Sequence, residues 1–209
     1  MLTILIDGIA YGMLLFILAA GLSVTLGLMN FINLAHGAFA LLGGYATAIL
    51  MNRWGVPFLL TLPVAFLLPA LAGALAERTL YARLYRRSHL DQVLFSIGLV
   101  FMVVAATDYL IGSQQQLITL PPWLQGRFDF FGIPVGRYRA FLIVLCSVLV
   151  VGLQLVLTRS RFGSRLRAAV DDQRVARGLG IKVSTIFAAT FAFGSGLAGL
   201  GGRAARSGQ

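Results

Sequence analysis

A multi-pass, all-α transmembrane helical bundle of about six spans is the fold that this sequence predicts, on three observations. Hydrophobic residues make up 58% of the 209-residue chain and charged residues only 11%, with a mean hydropathy of +0.87. Soluble domains carry about 25% charged residues, and disordered chains combine low hydrophobicity with high charge, so both classes are excluded. Second, the apolar residues gather into runs of about 20, the length that carries a helix across the hydrocarbon core of a bilayer. Third, the runs lack the period-2 alternation of barrel strands.

The first run covers residues 4–28 and is interrupted only by Asp7. No Lys or Arg precedes it, it is longer than a signal-peptide core, and no cleavage-like site follows, so it reads as a span. Gly8 and Gly12 within it are spaced for close helix packing. The second run covers 34–51. The third, 56–76, contains Pro57, Pro63 and Pro69, which a membrane bundle tolerates because neighbouring helices satisfy the freed carbonyls. Runs four to six cover 93–111, 140–157 and 184–202. Cys146 lies inside the fifth with no second cysteine in the chain. An intrachain disulfide is therefore excluded, and the thiol is either packed or lipid-facing.

The net charge of +10 sits in the loops. This argues for membrane orientation and contact with anionic lipids, not for nucleic-acid binding. Loop 77–92 carries Arg78, Arg83, Arg86 and Arg87. Loop 158–183 carries Arg159, Arg161, Arg165, Arg167, Arg174, Arg177 and Lys182. Against these, the opposite side has only Arg53, Arg127, Arg137 and Arg139. The positive-inside bias makes loops 77–92 and 158–183 cytoplasmic and puts the N-terminus outside. The longest outer segment, 112–139, reads as a lid or as an ordered connector. The final residues 203–209 read as an irregular basic tail, on the side where the even-odd count expects few cations.

Three polar residues, Asn30, Asn33 and His36, fall at i, i+3 and i+6, along one face of a helix. Polar groups in hydrocarbon are expensive unless they face a cavity or one another. Two readings stand: the lining of a translocation path, or a hydrogen-bonded packing cluster between helices. Gly27 and Gly37 bracket the set and permit a break between two helices, as transporters use at substrate sites. Asp7 and Asp108 lie near span ends, where a carboxylate reaches water or a partner. With two histidines far apart in sequence, His36 and His89, no metal site is predicted. There is no GxxxxGK[ST] loop and no catalytic set, so the chain is not read as an enzyme and no cofactor is expected in it.

Residues 161–181 form a second informative stretch. Leu166, Ala169, Val170, Ala176 and Leu179 recur at near-helical spacing, with Arg165, Arg167, Asp171, Asp172, Arg174 and Arg177 between them. Such an amphipathic helix between two spans lies on the membrane surface or docks in a partner's groove. Gly178 and Gly180 stand where a helix would end.

The stretch GLMNFINLAHGAFALLGGY, residues 27–45, resembles the hallmark of branched-chain amino acid ABC transporter permeases. RFGSRLRAAVDDQRVARGLGI, residues 161–181, is similar to that family's coupling segment, and FAFGSGLAGLGG fits as well. The resemblance implies a single transmembrane permease domain over residues 1–202, incomplete relative to family members, which continue with further spans. It implies a bacterial inner-membrane permease subunit importing branched-chain amino acids. Its partners would be two cytoplasmic ATP-binding subunits, which bind the ATP, a second permease subunit and a periplasmic solute-binding protein. Arg167, Ala168, Ala176, Gly180 and Ile181 would belong to the ATPase-docking segment. Asn30, Asn33, His36 and Gly37 match the membrane hallmark, as translocation path or structural hinge. Relatives with the same hallmark handle urea or short amides, and a passive channel or an inactive truncated fragment are further alternatives.

Overall fold

A computed structural model describes the chain apart from residues 1, 30–32, 85–86, 113–119, 131–132 and 208–209. Its elements in order are α1 (Leu2–Met29), α2 (His36–Trp54), α3 (Phe58–Thr79), a 3-10 turn (Tyr81–Arg83), α4 (His89–Ile111), β1 (Arg127–Phe130), β2 (Ile133–Gly136), α5 (Arg137–Arg159), α6 (Arg161–Asp171), α7 (Gln173–Gly178) and α8 (Val183–Ser207). The protein is an all-α multi-pass membrane bundle, and each of the six apolar runs becomes a long helix. Five of these are long and apolar enough to cross a membrane: Ile4–Thr25, Phe58–Arg83, His89–Ile111, Arg137–Arg159 and Val183–Gly202. The remaining long helix, α2, is diluted by His36, Gly43, Gly44, Thr47, Asn52 and Arg53. It can be so because much of it is buried against protein, where lipid does not test its apolarity.

The bundle is built around α8, which packs against α1, α2 and α3. Of its spanning window 67% is buried, against 11% for α4 and for α5, so α8 is the central helix and those two are peripheral. Close approach is possible because α8 is glycine-rich. A Cβ at Gly43 of α2 would overlap the Gly199 backbone, and one at Gly73 of α3 would overlap the Ser195 side chain. Small residues at such crossings are what permit tight helix association in lipid. Buried hydroxyls are mostly satisfied within their own helices: Thr25, Thr47, Thr61 and Thr190 each donate to a carbonyl three or four residues earlier, as expected where water is absent.

Apolar packing separates the two ends. At one, Leu14, Met51, Phe58, Leu124, Tyr138 and Leu142 meet, and Asp7 of α1 is ion-paired with Arg139 of α5. At the other, Phe39, Tyr81, Leu166, Ala176, Val183 and Phe191 form the largest buried cluster. Between them Cys146 is packed against Ile17 and Leu197, the first of its two predicted environments.

The structure adds detail to one expectation and corrects two. Part of the connection between α4 and α5 is an antiparallel strand pair, with Arg127 opposite Gly136 and Phe130 opposite Ile133. The surface stretch 161–181 is two helices, not one. Asp172 interrupts it because its carboxylate accepts from the backbone N–H groups of Arg174 and Val175, at 2.7 and 3.0 Å, capping α7 in place of continuing α6. The tail is not irregular from residue 203, since α8 stays helical to Ser207.

Candidate functional site

The polar hallmark surrounds a helix break. α1 ends at Met29 and α2 begins at His36, so Asn33 does not lie on a helix face with His36, contrary to the i, i+3, i+6 reading. Asn33 instead organises the non-helical turn. Its Oδ1 accepts from the Ala35 N–H and from the Tyr81 hydroxyl, both at 3.0 Å. The break is thereby fastened to the far end of α3, 48 positions along the chain. Tyr81 is itself held by Phe191, with ring centroids 4.8 Å apart, and by Phe95 edge-on at 5.5 Å.

His36 opens α2 and is 6% exposed. Its ring lies where a Cβ on Gly21 would be, close to the Gly194 carbonyl. Glycine at position 21 is thus a steric requirement for seating the imidazole between α1 and α8. The ring approaches the backbone of Leu18 without meeting hydrogen-bond geometry. The Asn33 amide nitrogen, both His36 ring nitrogens and the Ser195 hydroxyl are buried without hydrogen-bond partners among the described residues. Unspent polar capacity of this kind is costly in hydrocarbon, and one such side chain, His36, lies near Gly194 of α8. Gly37 is exposed beside it. Asn30 lies outside the described residues. Sequence inspection missed Ser195, whose signal is a single hydroxyl within a glycine-rich span.

The second feature is the surface segment. The turn from α5 into α6 is fixed by Ser160, whose side chain accepts from the Gly163 N–H at 3.1 Å, and by the Arg167 guanidinium, which donates to the Leu157 carbonyl. Gly163 is required there, because a Cβ would overlap the Leu157 backbone. Leu166, Ala169 and Ala176 face inward. Of the five predicted docking residues, Arg167 and Gly180 are exposed, Ala168 and Ile181 are half-buried, and Ala176 is buried at 1%. Ala176 therefore anchors the segment to the bundle. The apolar surface left for a partner is Val175 and Leu179, the latter 74% exposed, with Arg174 and Arg177 exposed beside them. Gly180, at φ +79°, makes the left-handed turn that returns the chain into α8.

Beneath α7 lies a pocket of about 380 Å³ lined by Glu77, Ala82, Gln173, Arg177, Val183 and Phe187, among others. Glu77, assigned to a loop on sequence grounds, is in the last turn of α3 and only 2% exposed. Among the described residues no group of three or more His, Cys, Asp or Glu side chains could hold a metal ion.

The known proteins that this chain resembles are transport permeases. The chain is 29% identical over 204 residues to the probable branched-chain amino acid transport permease protein LivH of Methanocaldococcus jannaschii, covering 95% of this chain and 64% of the relative. It is 27% identical to the high-affinity branched-chain amino acid transport system permease protein BraD of Pseudomonas aeruginosa, covering 93% and 67%. It is 29% identical to the permease protein LivM of Escherichia coli, covering 94% and 51%. The chain thus spans about two thirds of the length of the first two relatives and half that of the third. No solved structure matches it. Residues 4–205, nearly the whole chain, match the family described as branched-chain amino acid transport system / permease component, and the chain belongs to that family, a membrane transport component that is not an enzyme.

Proposed function

We propose that this chain is the permease subunit of an ATP-driven importer that moves branched-chain amino acids across the bacterial inner membrane by alternating access. One observation carries the reading: the α6–α7 segment is anchored inward by Leu166, Ala169 and Ala176 while Val175 and Leu179 stay exposed among arginines. A segment so arranged fits a groove in a partner. The partners we assign are two cytoplasmic ATPases on this segment, a second permease subunit, and a periplasmic solute-binding protein at the opposite end. ATP is bound by the ATPases. The Lys and Arg distribution supports placing loops 77–92 and 158–183 in the cytoplasm and the N-terminus outside. Nucleotide state can drive transport only by biasing two bundle conformations differently. The Asn33–Tyr81 fastening and the polar groups around His36 and Ser195 are the elements we assign to that change, as path lining or hinge.

The test is a detergent pull-down of the chain co-expressed with its candidate ATPases and partner permease, beside an Arg167→Glu, Gly180→Trp double variant. Retention of the ATPases by the native chain and at least tenfold loss in the variant is expected. Equal retention would overturn the docking assignment, and solute flux in liposomes without any ATPase would favour a passive channel. A competition panel of leucine, isoleucine, valine, urea and short amides against the cognate binding protein decides the solute.

A further inference from the structure

Arg167 is exposed, so water alone would solvate its guanidinium. It turns back on its own chain instead and donates to the Leu157 carbonyl in the last turn of α5. The final carbonyls of a helix have no N–H further along it to bond. They also carry the negative end of its dipole, where a cation is favoured. Two of these carbonyls in α5 are served from beyond the helix end. Val156 accepts from the Ser160 hydroxyl at 2.5 Å, and Leu157 accepts from Arg167. A hydrogen bond from a charged donor is about twice as strong as a neutral one, which makes Arg167 the stronger of the two ties.

The tie closes a contact that is already tight. Gly163 and Arg167, four residues apart, share a side of α6. A Cβ at Gly163 would overlap the backbone of Leu157 and the carbonyl of Val156, so this side of α6 lies directly on the end of α5. Ser160 bonds across the start of the contact, and Arg167 bonds across it one turn further on. α5 itself is an unbroken helix of 23 residues, roughly 34 Å long at the α-helical rise. Only 11% of its spanning window is buried, and it packs mainly against α1. Its opposite end carries Arg139, ion-paired with Asp7 of α1. A helix with so little protein around it tilts without repacking the core.

We propose that Arg167 is a positioning residue that locks α6 to the C-terminal end of α5, so that the two helices turn together as one angled lever. Its guanidinium is committed within the chain, and the partner is met by the exposed side chains of α7 and the turn after it. Displacement of the docking segment then reaches α5 through a bonded joint, and α1 through α5.

The proposal rests on the ABC-permease reading, and its test separates the two. The first arm needs no partner. Arg167→Met keeps the apolar stem and removes the donors. In the full chain in detergent it should raise amide exchange across residues 160–166 at least fivefold and leave α8 unchanged, by hydrogen-exchange mass spectrometry. Arg165→Met should leave the same amides at native exchange. Native exchange in Arg167→Met overturns the lock. The second arm uses the full complex with binding protein in proteoliposomes. If the native chain shows no uptake dependent on ATP, the general reading fails while the first arm still decides the bond. Given uptake, Arg167→Met should retain the ATPases within twofold, while solute moved per ATP falls at least fivefold. An unchanged ratio overturns the lever, and a tenfold loss of ATPases at native exchange makes Arg167 a partner contact and also overturns it. Arg167→Lys, still a charged donor, should bring both exchange and solute per ATP to within twofold of native. It decides the matter if Arg167→Met does not insert, because a fivefold fall in that variant is incompatible with the lock.

Discussion

A single methyl group added at Gly43 would overlap the Gly199 backbone where α2 crosses α8, whereas one at Gly98 of α4 would meet nothing within 4 Å. Overpacking of a close contact costs about 1–3 kcal/mol, and substitutions away from such contacts stay within about 0.5 kcal/mol. Gly43→Ala is therefore expected to lower the unfolding midpoint in detergent clearly, and Gly98→Ala to leave it nearly unchanged; equal effects would mean that the α2–α8 contact is not tight. At this scale residue type was a good guide where chemistry is unusual. Asn33 and His36 stand out in any apolar stretch, and both are buried at the helix break. It was a poor guide to depth. Glu77 precedes a run of arginines and so reads as a loop residue, but it is buried in a helix that packs along α8, about 100 positions later. Likewise Asn33's bond to Tyr81 has no local signature.

At the scale of elements, α7 exists as a separate helix because Asp172 caps it. Replacing a capping carboxylate by alanine costs about 1 kcal/mol. Asp172→Ala should speed amide exchange across residues 173–178 without changing protection in α8, read by hydrogen-exchange mass spectrometry. Uniform change, or none, would mean that α7 is held by packing alone. The six long helices were legible because hydrophobic runs of span length have few other solutions. Elements of four residues, such as β1 and β2, leave too few alternations to register as a pattern. The break in the surface stretch was hidden for a different reason. Aspartate is compatible both with an exposed helix face and with a cap, and only the geometry of its carboxylate decides.

For the whole molecule, the alternation of chain direction groups Asn33, Tyr81, Leu166 and Val183 toward one end and Asp7, Phe58 and Arg139 toward the other. The charge bias then predicts which end faces inward. In a Cys146→Ala background, a cysteine at Ser164 should react with membrane-impermeant maleimide only in inside-out vesicles, and one at Gln125 only in right-side-out cells. The reverse pattern would invert the orientation. The alternation was legible from span order and the arginine count, but the central position of α8 was not. Its spanning window has a mean hydropathy of 1.5, the lowest of the five, and is the most buried, since a helix enclosed by protein is selected for smallness and not for oiliness. That smallness has a mechanical consequence. Interdigitated side chains act as gear teeth, and sliding one helix past another then requires each tooth to change rotamer. Along its glycine-lined faces α8 has few teeth. Resistance to axial slip falls on its large side chains, among them Phe191, wedged between Tyr81 at 4.8 Å and Phe39 at 5.9 Å. Axial slip of α8 would have to carry these rings, and Phe193 against Phe66 at 5.7 Å, past their partners.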